Sequence, residues 1–118
     1  MIQDPEPAAY LQVDGDWALD IDLALSRNGD VVSRPPFAGM YWTGPQMLAH
    51  MTANGASLRT GDLFASGTIS GDEVDQRGSF IELSWNKEFL DDGDVVAISA
   101  TTGGGRYLGE VTGRVVSG

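Results

Sequence analysis

The residues best suited to catalysis or substrate binding in this 118-residue sequence are a glutamate and a threonine in apolar surroundings. Glu82 alternates with apolar residues over 79–85, and a strand with that pattern carries an aromatic side chain on each face. If both faces are covered, the carboxyl group is partly buried, as catalytic acids and bases often are. Thr68 lies in a second strand-like run over 62–69, so the two segments would place a hydroxyl near a carboxylate. The simpler interpretations are a wet strand face for Glu82 and an ordinary strand residue for Thr68.

Other polar side chains give weaker evidence for a functional site. Asp20 and Asp22 share the polar face of an alternating strand and could contact a hard cation, but no third oxygen ligand accompanies them. Polar residues are expected on such a face anyway, so we predict no metal site. His50, the only histidine, is expected on a helix as a partly buried or interfacial ring, without a serine or cysteine nucleophile to form a triad. A solvated tight turn is expected for the acidic group Asp91, Asp92 and Asp94.

Composition limits the classes of partner. Seventeen acidic against seven basic residues give a net charge of −10, which disfavours nucleic acid and anionic membrane surfaces as partners. The absence of cysteine fits a reducing cytoplasm, and the sequence contains neither a leader pattern nor a long apolar span. The length suits a single domain over residues 1–118.

The pattern of apolar and turn residues predicts short strands around one helix. Apolar residues alternate from Trp17 to Leu25, and Asn28-Gly29 is typical of a two-residue hairpin turn. Thr43 is a candidate cap for a helix over 45–53. Further strands are predicted over 62–69, 79–85, 94–102 and 106–116. Four aromatic residues are expected in the core: Tyr41, Trp42, Phe80 and Trp85.

We therefore predict a mainly β domain of the α+β class, with mixed β-sheets and one short helix.

Linked motifs along nearly the whole chain resemble the C-terminal segment of the catalytic domain in the fumarylacetoacetase (fumarylacetoacetate hydrolase) family. They include Met40-Tyr41-Trp42-Thr43, Gly61-Asp62-Leu63, Gly67-Thr68-Ile69-Ser70-Gly71 and Glu82-Leu83-Ser84-Trp85. The resemblance implies part of that fold and hydrolysis of a C–C bond in a small β-diketo acid, fumarylacetoacetate, to fumarate and acetoacetate in tyrosine catabolism.

The resemblance also implies roles for particular residues. Glu82 matches a catalytic glutamate that orients a histidine base, and Thr68 matches a threonine that hydrogen-bonds the substrate. In the family a divalent metal, Mg²⁺ or Ca²⁺, binds the diketo oxygens. The metal ligands, the base histidine and the basic groups for the oxyanion have no match here, and His50 does not match the base. We therefore expect no metal in this chain alone and no hydrolysis by the isolated chain.

A different class of function is open as well. The chain could be a noncatalytic, standalone β module used for structure or self-association, including a homodimer. Aromatic patches exposed to solvent would favour such association.

Overall fold

The computed structural model describes residues 3–15 and 18–118. Its centre is one four-stranded sheet in the order β2-β1-β3-β4, with β1 at Ile21–Arg27, β2 at Asp30–Ser33, β3 at Val95–Thr102 and β4 at Tyr107–Arg114. The described residues also form two α-helices, α1 at Gly44–Thr52 and α2 at Phe80–Ser84. Short 3-10 helices occupy Ala9–Leu11, Phe37–Gly39 and Val74–Gln76.

The mainly β, α+β class is confirmed. Within the described residues every strand pair is antiparallel, so the sheet is not mixed, and there is a second short helix beyond the one predicted. None of the helices described is long and apolar enough to cross a membrane.

The first hairpin forms as predicted. Asn28 and Gly29 adopt positive φ angles of 53° and 89°, and Arg27 pairs with Asp30 across the turn. The strand begins at Ile21 rather than at residue 17, because its partner β3 ends at Thr102, which is opposite Ile21. Trp17 lies outside the described residues.

The apolar face of the sheet is covered unevenly. Leu25, Ile98 and Val111 are directly paired across β1, β3 and β4, so their side chains lie in one row on the same face. Their exposed fractions rise along the row, from 5% through 47% to 76%. The apolar face is therefore covered over β1 and left open over β4.

Helix α1 also forms as predicted. The Thr43 side chain accepts a hydrogen bond from the Gln46 amide, and the Gln46 side chain returns to the Thr43 amide, which completes a capping box. Gln46 is almost fully buried and donates to the Leu11 carbonyl at 2.8 Å. This side-chain amide joins α1 to the N-terminal segment.

Two predicted strands are wrong. Within 79–85, residues Phe80–Ser84 form α2. Ser79 caps this helix, and Trp85 follows it in the left-handed conformation with a φ of 53°. A seven-residue alternation does not distinguish a strand from a single helical turn when a capping residue precedes it. Residues 62–69 have no regular structure, and Gly67 within them has a φ of 80°.

The expected aromatic core is also largely wrong. Trp85 is 69% exposed, and both Tyr41 and Trp42 are exposed as well, whereas Phe80 is half-buried. Trp85 follows the last residue of a five-residue helix and has a left-handed backbone conformation. Aromatic type therefore did not decide burial in this chain.

Asp94 differs from the solvated turn that was predicted. It is buried, and its carboxylate accepts hydrogen bonds from Asn28 at 2.7 Å, from Arg27 Nε at 2.8 Å and from the Asp91 amide at 2.9 Å. Arg27 Nη2 adds an ion-pair contact to Asp94 at 2.5 Å. One carboxylate therefore ties the β1–β2 turn to the start of β3, and Asp91 and Asp92 remain exposed.

Replacing Asp94 by asparagine is expected to lower the Tm by several degrees at neutral pH, because Arg27 loses its closer and more buried charged partner and keeps only the exposed Asp91. Hydrogen bonds from Asn28, the Asp91 amide and Arg27 lower the pKa of Asp94 from 3.8 to about 2. A carboxyl group with a lowered pKa stabilises the fold above its unfolded pKa, and the contribution is lost as pH falls through its folded pKa. The Tm difference should therefore shrink between pH 3.8 and about pH 2.

Thermal unfolding over that pH range provides the measurement, with the exposed Asp92→Asn as the matched control. The control should leave the Tm within a degree or so at each pH. A deficit in the Asp94 variant that persists unchanged at pH 2 contradicts the ion-pair interpretation.

Candidate functional site

The first part of the site is the N-terminus of α2, which holds Glu82 in its first turn. Ser79 caps the helix by accepting from the Glu82 amide at 3.3 Å. In return, the Ser79 hydroxyl donates to Glu82 Oε2 at 2.7 Å. The sequence folds this way because a serine with a glutamate three residues later satisfies donors at a helix start.

The second part is a loop that brings Ser70 to the same carboxylate. The Ser70 hydroxyl lies 3.0 Å from Glu82 Oε1 and 2.9 Å from Oε2, and its oxygen accepts from the Gly78 amide at 3.0 Å. The loop residues and α2 therefore meet at one half-buried carboxylate.

The hydroxyl donors favour the ionised form of this carboxylate. Hydrogen bonds from Ser79 and then Ser70 lower the pKa of the Glu82 carboxyl below its ordinary value of 4.5, against a smaller opposing effect of burial. The Arg77 guanidinium makes the smallest of the contributions that lower this pKa. It donates to the Glu82 carbonyl at 3.1 Å and lies 4.6 Å from the centroid of a Trp85 ring.

Gly78 permits the close approach of loop and helix. A Cβ atom built on Gly78 would overlap the carbonyl oxygen of Ile69, and the Gly71 amide donates to the Gln76 carbonyl at 2.8 Å nearby. Only a residue without a side chain fits between these backbones, so the position of Ser70 depends on Gly78.

Thr68 is exposed and makes no hydrogen bond to any residue that the structure describes. It lines a cavity of about 480 Å³ on the apolar face of the sheet, whereas Ser79 lines a neighbouring cavity of about 490 Å³. Leu25, Gly78 and Ile98 belong to both cavities. From this loop, the hydroxyl that contacts Glu82 is thus that of Ser70, two residues after Thr68.

The remaining candidates lie elsewhere. His50 is exposed rather than partly buried, and its Nδ1 lies 3.1 Å from the Tyr10 hydroxyl on the surface of α1. Asp20 and Asp22 are exposed, as expected for a wet face. Over residues 3–15 and 18–118, no group of three or more His, Cys, Asp or Glu side chains could hold a metal ion.

Sequence reasoning missed Ser70, Ser79 and Arg77. A signal for Ser79 was present, because Ser79-Phe80-Ile81-Glu82 has the serine-x-x-glutamate spacing of a capping box. Ser70 has no comparable signal, since its contact with Glu82 depends on how the intervening loop folds.

Comparisons with known proteins show which sequences this chain is similar to. The sequence model described as fumarylacetoacetate (FAA) hydrolase C-terminal matches residues 2–116. A fumarylacetoacetase from Caenorhabditis elegans is 43% identical over 135 residues, which cover 98% of this chain and 32% of that protein. Those from Arabidopsis thaliana and Homo sapiens are 40% and 39% identical, and the alignments cover 97% of this chain and 32% of each relative.

The chain belongs to the fumarylacetoacetate hydrolase family and corresponds to its C-terminal part. It spans about a third of the length of the curated relatives it matches.

Gly78→Ala is expected to destabilise the protein by about 1–3 kcal/mol, the usual cost of forcing extra volume into a packed site. The new methyl group must displace the Ile69 carbonyl, and Ser70 moves with it. Denaturant unfolding measures the change. Gly44→Ala is the control, because no atom lies within 4 Å of a Cβ built there. Equal stability of the two variants would contradict the close approach described above.

Proposed function

We propose that this chain forms the C-terminal part of the catalytic domain of a fumarylacetoacetase-type hydrolase, which adds water across a C–C bond of a β-diketo acid. Family membership supports the reaction class. The observation that carries the proposal is the Glu82 carboxylate, whose ionised form is stabilised by two serine hydroxyls, one of which, that of Ser79, belongs to a residue that lines an apolar cavity.

Glu82 acts in this proposal through a histidine base. An ionised carboxylate that accepts the N–H of an imidazole fixes the tautomer of the ring and stabilises the imidazolium formed when the other nitrogen takes a proton from water. Glu82 is suited to this task because its negative charge persists at neutral pH. His50 cannot supply that imidazole from its exposed place beside Tyr10.

Thr68 supplies substrate contact in the proposal. Its hydroxyl lies at a cavity whose walls include Leu23, Pro35 and Ile69, so a small organic acid could be held there with little water around its carbon skeleton. The hydroxyl is free to donate to a substrate oxygen because no described residue uses it.

The divalent metal expected for the family would polarise the diketo oxygens when bound. The described residues do not provide a cluster of carboxylate or histidine ligands for it. We therefore assign no step of the reaction to a metal held by this chain.

Grafting provides the test. The chain replaces the corresponding third of the Caenorhabditis elegans relative, and fumarylacetoacetate hydrolysis is followed for the chimera and its Glu82→Gln form. We expect kcat to fall at least about 100-fold in the variant, because the neutral amide cannot stabilise an imidazolium. The 118-residue chain by itself, assayed in parallel, should give no hydrolysis above the buffer rate.

Glu73→Gln, which removes one exposed carboxylate close to the same loop, is the matched control and should retain activity within about twofold. An active chimera whose Glu82→Gln form hydrolyses the substrate equally well would refute the catalytic proposal. So would hydrolysis by the isolated chain that survives this substitution.

One observation favours the alternative function of self-association. Val111 is 76% exposed and Leu108 56% exposed on β4, an edge strand of the sheet. Val111 extends the apolar row that begins at the buried Leu25. A second copy of the chain could cover this open part of the sheet in a homodimer.

If that homodimer forms, light scattering should give twice the monomer mass, and Val111→Lys should return the protein to the monomer. Glu110→Gln is the matched control, since it makes the same charge change on the opposite face of β4 and should leave the dimer intact. A monomeric mass for the unmodified protein at high concentration rules out self-association as its function.

A further inference from the structure

The backbone contacts of the two serines beside Glu82 fix the direction of their hydrogen bonds. Each hydroxyl oxygen already accepts a backbone N–H, from Gly78 in the case of Ser70 and from Glu82 itself in the case of Ser79. The Glu82 carboxylate is the acceptor that the structure gives each hydroxyl proton. Both serine hydroxyls therefore act as donors to the same carboxylate.

The two oxygens of that carboxylate are used unequally. Oε2 is approached by both hydroxyls, at 2.7 Å from Ser79 and 2.9 Å from Ser70. Oε1 is approached by Ser70 alone, at 3.0 Å, and shares that single proton with Oε2. Since a carboxylate oxygen can accept two hydrogen bonds, Oε1 keeps a free acceptor position among the described contacts.

The charge on Glu82 is also left without a direct cationic partner within the described part of the chain. The ion pairs found there belong to Arg27, and the nearby Arg77 donates to the Glu82 backbone carbonyl instead. Neutral hydroxyls fix the geometry of the carboxylate but do not neutralise it. An anion held in this way favours a further donor that carries positive charge.

We propose that Ser70 and Ser79 are positioning residues. Their hydroxyls occupy the acceptor positions of Glu82 Oε2, which leaves Oε1 to accept the N–H of the imidazole base. The proposal rests on the proposed function and deepens it by naming the accepting oxygen and the two groups that select it. Ser70 ties the loop to the carboxylate, and Ser79 ties the carboxylate to its own helix. Loss of either hydroxyl frees Oε2 to compete for the imidazole and lets the carboxylate rotate.

Nuclear magnetic resonance of the 118-residue protein tests the positioning without any activity. With ¹³C-labelled glutamate, the Glu82 carboxyl should titrate at a higher pH in Ser79→Ala and in Ser70→Ala than in the unmodified protein, because each variant removes a donor to the ionised form. Ser79→Thr retains a hydroxyl and should restore the titration. Ser84→Ala is the matched control, since Ser84 lies on the same helix and bonds to Phe80 and Glu88 instead.

The pH profile of the chimera tests the link to catalysis. A misoriented carboxylate stabilises the imidazolium less, so the acid limb of kcat/KM should move to lower pH in Ser79→Ala, in the same direction as in Glu82→Gln. We expect kcat/KM to fall about tenfold, as for the loss of one charge-assisted hydrogen bond. Ser79→Thr should recover most of it, and Ser84→Ala should match the unmodified chimera.

The outcomes separate the two proposals. If Glu82→Gln abolishes hydrolysis while Ser79→Ala and Ser70→Ala behave like Ser84→Ala in both measurements, the positioning proposal is wrong and the proposed function stands. If the serine variants shift the Glu82 titration but Glu82→Gln leaves hydrolysis unchanged, the proposed function is wrong and the catalytic part of the positioning proposal falls with it.

Discussion

The site depends on one half-buried carboxylate that joins a loop to a helix. Glu82 is the shared acceptor for Ser70, which arrives from the loop, and for Ser79, which caps the helix that carries Glu82. Each serine also accepts a backbone amide, so the same contacts satisfy groups that would otherwise lack partners near the helix start. Protonation of Glu82 would remove the negative charge that strengthens the hydrogen bonds from both hydroxyls, so the ionised form and the local fold stabilise each other.

The sheet supplies the platform for this arrangement. Asp94 ties the Asn28-Gly29 turn to β3, and β1 in turn places Leu25 under both cavities of the apolar face. Gly78 then lets the loop approach closely enough for Ser70 to reach the carboxylate. The apolar face remains open towards β4. The same opening is the physical basis for the competing self-association proposal.

Sequence patterns predicted the parts of the fold that depend on local chemistry. The alternation before Asn28, the positive φ angles of the turn and the capping residue Thr43 are each properties of a few neighbouring residues. The strand predicted around Glu82 is wrong because Ser79 caps a helical turn there, and the strand predicted around Thr68 is interrupted by the positive φ angle of Gly67. The contact between Ser70 and Glu82 could not be predicted at all, since it is fixed by tertiary packing around Gly78 and not by spacing along the chain.

The central claim is that Glu82 is a carboxylate held ionised by hydroxyl donors. The most direct measurement is the pH titration of its side-chain carboxyl carbon in the unmodified protein. The account predicts a pKa below the ordinary value of 4.5, with no accompanying unfolding above the midpoint. A Glu82 pKa at or above 4.5 in the folded protein would show that the serine hydroxyls do not hold the charge, and it would contradict the account.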